Sequence, residues 1–496
     1  MGFPDKWHEI RRTLDDRLES DGKGTLFHLI VTPTRSSIVV KILPLQAFEN
    51  LWFTLIEVKM NKMRMIVLAC MVALASAGWA QTSVRAQREI AHDPRLAAGK
   101  YLAYEAPTQP LTPAPDGYIP CYISTYARHG SRYLTGEDKY KPALDLLNEA
   151  ARCKGLTPVG QRVLSVLTSL AEACGDRYGE LTPKGVEQHR GLARRMFVNY
   201  PEIFVDGAHV DARSTYKTRA FLSMTAACVE LKGLNPRLNV TADASEHDAY
   251  YLKYKNPIYS DSCQANADSV FAVARSRFVH PDRMMHQLFT KAYASQVKDP
   301  QQLMIDLFEY HGISQSSYGQ PDLSFLFTED ELYELWQLNN FEWYYEQGPS
   351  PLSGGHMPWL ACNLLRNIVE TADTALCSAR PSASLRFGHD TNLAPLVSLM
   401  QIETFDKATA TWDSIPEYYQ TYRIIPMCGN IQLVFYRKEG SSDILVKPLL
   451  NEREVRLANV ATDQWPYYHW ADVRRVWMQT VERIKLPSKP KGMKTD

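Results

Sequence analysis

Tyr118-Ile119-Pro120-Cys121-Tyr122-Ile123-Ser124-Thr125-Tyr126 runs through Ala127 straight into Arg128-His129-Gly130-Ser131-Arg132. The first stretch is rich in aromatic and β-branched residues and predicts a strand. The second gathers two arginines, a histidine and a glycine at the strand's C-terminal end. A strand that turned into a helix here would place Arg128 and Arg132 one turn apart, flanking His129. Gly130 has no side chain, so a ligand can approach the backbone closely. Two guanidiniums beside one imidazole suit a phosphate group, because each planar fork matches two of its oxygens. Their charge also keeps the imidazole of His129 neutral, the form a nitrogen nucleophile needs.

Two further charged clusters lie downstream, each beside a predicted strand. Arg213-Ser214-Thr215 ends a short strand around His209–Arg213, and Arg219 and Ser223 follow on the next helix. Arg219 falls near that helix's positive end, where a third guanidinium completes a phosphate cradle. Arg213 reads as structural. His389-Asp390-Thr391-Asn392 follows the strand Ala383–Phe387. His389 can donate to a phosphate oxygen. Asp390 can protonate a leaving alcohol if the pocket keeps it protonated, and a nearby phosphate dianion raises its pKa in that direction. Taken singly, each residue has a bland role: His129 as a core histidine, Asp390 or Asn392 as helix caps, Arg219 as an ion-pair partner. Ligands of open α/β sheets bind at the carboxyl ends of strands, so three such clusters favour the chemical reading.

Around these clusters the pattern alternates between strands and long helices. It predicts an α/β fold with a central mixed, largely parallel sheet flanked by helices, and a mostly α-helical inserted subdomain. Thr182 and Pro183 make an N-cap and first-turn pair before apolar residues at helical spacing. The division expected is a lead-in over 81–117, largely irregular, an α/β core over 118–239 and 351–490, and a helical insert over 240–350. Thr328 to Glu331 forms a capping box inside that insert. Ile431, Leu433 and Phe435 alternate with polar or small residues and pair with a strand over 443–449 as a hairpin.

The 496 residues carry 55 Lys+Arg against 55 Asp+Glu, with 45% hydrophobic and 22% charged residues. That balance excludes disorder, and no basic excess points to nucleic acid. Residues 60–80 read as a secretory signal: a short basic start from Met60, the apolar run MIVLACMVALASA, then Gly78-Trp79-Ala80. The run is too short to span a bilayer, so no stable membrane insertion is expected after cleavage. Residues 1–59 are then expected to be a non-native extension, and the protein to be exported, periplasmic or secreted. After residue 80 there are 45 basic and 47 acidic residues, so any anion affinity is local. Eight cysteines remain there: Cys121, Cys153, Cys174, Cys228, Cys263, Cys362, Cys377 and Cys428. An even number in an exported chain is compatible with disulfides; buried free thiols are the other reading.

The three clusters together resemble the histidine acid phosphatase family, the branch of the histidine phosphatase superfamily that includes phytases. The likeness rests on Arg128-His129-Gly130-Ser131-Arg132, on Arg213-Ser214-Thr215 with Arg219 and Ser223, on His389-Asp390-Thr391-Asn392-Leu393, and on Leu181-Thr182-Pro183-Lys184-Gly185. It covers roughly residues 118–450 and is weak in the helical insert. The resemblance implies that His129 attacks phosphorus, that Asp390 protonates the leaving oxygen, and that Arg128, Arg132, Arg219 and His389 hold the phosphate. It implies no metal and no cofactor, and a small phosphomonoester as the partner. Arg-His-Gly-Ser-Arg-Tyr is similar to the start of multiple inositol polyphosphate phosphatases. Those proteins typically have His-Ala-Glu where this chain has His389-Asp390-Thr391. Lys139, Lys141 and Lys217 are candidates for contacts to further phosphates, with solvated surface lysines as the better reading. The alternative function is an exported phosphate-ester binding protein with little turnover, which would have little need of both His129 and Asp390.

Overall fold

The computed structural model describes the backbone of residues 27–33 and 38–44, and residues 85–485 except 254 and 256. Residues 27–33 and 38–44 pair as an antiparallel hairpin within a unit over Met1–Gly78. The expected signal segment and Cys70 lie outside the described residues. Everything below concerns the second unit, Trp79–Asp496.

One mixed sheet organises it. Its strands are β1 (Tyr118–Arg128), β2 (His209–Ser214), β3 (Asn239–Asp243), β4 (Ala383–Gly388), β5 (Asn430–Lys438), β6 (Ile444–Leu450), β7 (Arg453–Glu454) and β8 (Tyr468–His469). The order is β8-β6-β5-β1-β4-β2-β3, with β7 on β6. β1, β4, β2 and β3 run parallel, and β5 turns the sheet antiparallel on the far side of β1. Four parallel strands thus sit side by side, and three of them, β1, β4 and β2, carry the clusters at their shared edge. Arg128 pairs with Gly388 there, and Ser214 with Phe387. That shared edge is what brings the three charged clusters together.

The period of two along the strands divides the core. Tyr122 and Tyr126 of β1 face one layer, while Ile123 and Ala127 face the other. The second layer is built by α1 (Pro183–Asn199) and α2 (Thr218–Leu234), whose Leu192, Met196, Met224 and Leu231 cover Val210, Leu385 and Phe387. Thr182 caps α1 as expected, its side chain accepting from Gly185 N. The helical stretch contains α3 (Pro300–Ser314) and α4 (Glu329–Gln347), and the Thr328–Glu331 capping box opens α4. The opposite layer includes α5 (Cys362–Ser378) and α7 (Trp470–Arg483), with α6 (Asp390–Leu399) leading off β4. Among the described residues no helix is long and apolar enough to cross a membrane.

Three expectations need correction. The lead-in is not irregular throughout: residues 85–92 are helical, and Pro94–Tyr101 forms a 3-10 helix capped by Asp93. Ile90, Ala97 and Ala98 on it are buried, so apolar burial, not local propensity, holds this segment. No helix follows β1 directly. Residues 129–136 form a loop, in which Arg132 bridges Leu181, so Arg128 and Arg132 are not one helical turn apart. The eight cysteines after residue 80 are all free thiols, and Cys153 and Cys377 are exposed.

Candidate active site

The six residues singled out above lie at the parallel strands' C-terminal edge. Arg128 ends β1, and His129 and Gly130 follow in the loop. Arg132 is set by its bridge to Leu181. Arg219 is the second residue of α2. His389 is the N-cap of α6, and Asp390 its first residue.

The loop needs Gly130. A Cβ there would lie 2.4 Å from the carbonyl oxygen of Gly185 at the start of α1, a distance no real side chain tolerates. Ser223 on α2 accepts from Gly130 N at 3.1 Å and donates to the Arg219 carbonyl at 2.8 Å. The spacing of Arg219 and Ser223 therefore couples the loop to the helix that carries the third arginine. Gln188 accepts from Ser131 N at 2.8 Å, and the buried His189 ring contacts the Arg128 carbonyl at 3.1 Å.

His129 is 1% exposed, and its Nδ1 lies 2.9 Å from the Gly130 carbonyl. A carbonyl can only accept, so Nδ1 carries the proton and Nε2 keeps the lone pair. Burial, then the charges of Arg128, Arg219 and Arg132, then His389, push its pKa well below the usual histidine value. The ring is neutral. His389 lies edge-on to it, with ring centroids 5.6 Å apart. Burial and Arg219 lower the His389 pKa to about 3 against the opposing pull of Asp390. Its Nε2 meets Thr215 Oγ1 at 3.0 Å, and its backbone N–H donates to the Tyr126 hydroxyl at 3.0 Å. The same hydroxyl bars any side chain at position 388, where a Cβ would meet it at 2.2 Å.

The guanidiniums hold spare donors. Arg128 is fully buried, and its Nη1 donates to the carbonyls of Lys100 and Ile425 at 2.6 and 2.5 Å. Its Nη2 is 2.6 Å from Asp390 Oδ2. Nε of Arg128, of Arg132 and of Arg219 is buried without a hydrogen-bond partner. Burial and the like charge of Arg132 lower the Arg219 pKa to about 10, which still leaves it cationic at neutral pH. Among the described residues one carboxylate, that of Asp390, pairs with any of these three cations, and the excess positive charge makes an anion site.

Asp390 departs from the condition set for it above. Burial raises its pKa, but Arg128, Arg132, His389 and Lys100 outweigh burial and hold it below the usual carboxylate range. The unliganded pocket therefore contains an ionised Asp390. Its Oδ1 accepts from Thr391 N at 2.9 Å, and Asn392 is buried on the next residue of α6. Arg213 is structural as expected, paired with Asp211 at 3.0 Å and with Asp243 at 3.3 Å. Lys141 pairs loosely with Glu137 at 3.9 Å, and Lys217 stands over the Tyr216 ring at 6.0 Å.

The sequence reading missed Lys100. It comes from the lead-in, and its ammonium lies 3.8 Å from Glu309 of α3 and over the rings of Tyr101 and Trp343. Its charge acts on Asp390. No local motif announced it, because the lead-in reaches the site only through packing.

A family model for the histidine phosphatase superfamily, branch 2, matches residues 124–451. The chain belongs to that family, and it is a phosphoric monoester hydrolase. It is 23% identical over 412 residues to multiple inositol polyphosphate phosphatase 1 of Gallus gallus, a match spanning 78% of this chain and 88% of that protein. The fold is similar to the multiple inositol polyphosphate phosphatase of Bifidobacterium longum in complex with phosphate, with a TM-score of 0.63 and 19% identity over 77% of this chain and 97% of the other. It is also similar to the phytase of D. castellii, with a TM-score of 0.56 and 14% identity over 79% and 86%.

Proposed function

We propose that this chain is an exported phosphatase that works through a phosphohistidine and acts on inositol phosphates or other sugar phosphates. The observation that carries the mechanism is the His129 ring. Its Nδ1 is taken by the Gly130 carbonyl, which leaves Nε2 as a lone pair inside a cage of arginines. A phosphomonoester dianion binds to the free donors of Arg128, Arg132 and Arg219. Thr215 Oγ1 lies 3.0 Å from Nε2 of His389; with the hydroxyl as donor, the ring carries its proton on Nδ1 and donates it to a phosphate oxygen. Nε2 of His129 then bonds to phosphorus as the ester P–O bond breaks.

Asp390 supplies the proton the leaving oxygen needs. The arriving dianion offsets the charge of Arg128 and Arg132, which is what held the carboxyl ionised, so Asp390 takes up a proton on binding. Water afterwards attacks the phosphohistidine, with Asp390 as base, and inorganic phosphate leaves. The arginines stabilise the charge that develops on the transferring group.

The named activities of the two multiple inositol polyphosphate phosphatases and the phytase support the substrate class. Export rests on the pattern of residues 60–80. The test is phosphate release by the purified chain from phytate, glucose 1-phosphate and a nucleotide, in excess EDTA, beside His129→Ala. The expected result is fastest release from phytate and none from the variant. Turnover by His129→Ala overturns the nucleophile, and ester binding without release establishes the binding-protein alternative. N-terminal sequencing of protein recovered outside the cytoplasm is expected to begin near residue 81.

A further inference from the structure

A second cavity, of about 260 Å³, opens between the sheet and the helices on the face opposite α1 and α2. Its floor is Ser384 and Arg386 of β4 and Asp211 of β2, and its walls are Thr371 of α5 with Asp248 and Tyr250. The catalytic cluster begins three residues beyond Arg386, roughly 10 Å further along the strand.

The lining is polar and carries both signs of charge. Arg386 is 3% exposed and donates to Asn367 at 2.8 Å, Ser124 at 3.0 Å and Thr371 at 2.8 Å, all neutral acceptors. Opposite it, Arg213 is shared by Asp211 at 3.0 Å and Asp248 at 3.6 Å. Two polar atoms in this lining are buried without a hydrogen-bond partner: Oδ2 of Asp248 and Oγ of Ser384. Their residues are only 7% and 2% exposed.

Each ligand class meets this lining differently. An anion is repelled by Asp211 and Asp248, and a cation by Arg386 and Arg213. An apolar molecule leaves Oδ2 of Asp248 and Oγ of Ser384 without a hydrogen bond, which is costly for buried groups. A neutral molecule dense in hydroxyls satisfies all of them, because each hydroxyl donates to a carboxylate and accepts from a guanidinium or serine. The volume falls just below the roughly 300–1,000 Å³ of drug-sized sites, which fits a single ring. Tyr250, 56% exposed at the rim, offers an apolar face to the ring's C–H side.

We propose that this cavity binds a small uncharged polyol, a cyclitol or monosaccharide, separately from the phosphate cradle. The proposal concerns binding and stands whether or not the reaction mechanism above is correct. The test is calorimetric titration of the full chain with myo-inositol and with D-glucose, with and without saturating inorganic phosphate. Saturable binding that phosphate leaves unchanged is expected. Asp248→Asn and Thr371→Val are expected to weaken it at least tenfold, and Tyr250→Ala several-fold. Tyr250 is exposed, so its variant decides the matter should the buried ones fail to fold. Displacement by phosphate, unaltered affinity in the folded variants, or no saturable binding of either polyol overturns the proposal.

Discussion

Nη2 of Arg128 sits 2.6 Å from Oδ2 of Asp390, tying the last residue of β1 to the first residue of α6. The guanidinium is fully shielded, and the carboxylate is 14% exposed. One contact therefore serves two purposes. It closes the sheet edge in the free protein, and it keeps the proposed proton donor ionised until an anion competes for the same arginine.

Removing that carboxylate leaves Arg128, Arg132 and Arg219 without a counter-charge. Asp390→Asn is expected to lose about 3 kcal/mol of stability at pH 7, the cost of breaking a buried pair. The sign with pH is fixed by the depressed carboxyl. Its contribution is complete above the unfolded value near 4 and disappears as pH falls through the lower folded value. Urea unfolding at pH 7 and pH 3 is expected to show a gap that narrows at the acid end. An equal gap at both would refute the pair's part in stability. Added inorganic phosphate is expected to stabilise the variant more than the wild type, since Asp390 no longer competes for Arg128.

Proton donation matters most when the leaving group is a poor one. Asp390→Asn is expected to cost about 10²–10⁴-fold in kcat on an alkyl phosphate, where general acid catalysis counts. On p-nitrophenyl phosphate, whose leaving group needs little protonation, the loss is expected to be far smaller. Equal losses on both substrates would remove Asp390 from the donor role.

The free-enzyme pH profile reads the histidines directly. The pKa of His129 is well below the usual value, and that of His389 about 3, so both rings are neutral near neutral pH. kcat/KM is therefore expected to show no acid limb centred near 6.5, the ordinary histidine pKa. A limb there, shifted in His389→Ala, would contradict the neutral cage.

Glu342 of α4 is only partly exposed, and burial pushes its pKa up to about 7, with Glu346 and Glu309 adding to burial and Lys100 opposing it. A raised carboxyl has the opposite linkage from Asp390. Between the unfolded value near 4.5 and the folded one near 7, only the unfolded state ionises, so stability falls as pH rises through that window. Glu342→Gln removes the penalty. It is expected to be about 1–2 kcal/mol more stable than wild type at pH 7 and equal to it at pH 4, allowing for solvent screening of a partly exposed group. Thermal unfolding at the two pH values checks this, and a variant no more stable at pH 7 would place Glu342 in water.

Arg128, His129 and Arg132 were readable because five consecutive residues carry the chemistry. Arg219 with Ser223, and His389 with Asp390, were readable because helix spacing and strand ends have local signatures. The Thr182 cap, the Thr328–Glu331 capping box and the period of two in β1 belong to the same class of local information. Lys100 was not readable. Nor were the helical lead-in, the ionised state of Asp390, or the loop that replaces the expected helix after β1.

The residue types, their order and the strands that end in them follow from the chain alone, because propensity, capping and periodicity act over a few neighbouring residues. Which carboxyl faces Arg128 and which lysine reaches the pocket depend on segments hundreds of residues apart. Those outcomes are set by burial and by charges summed across the parallel strand ends, and neither exists until the sheet has closed.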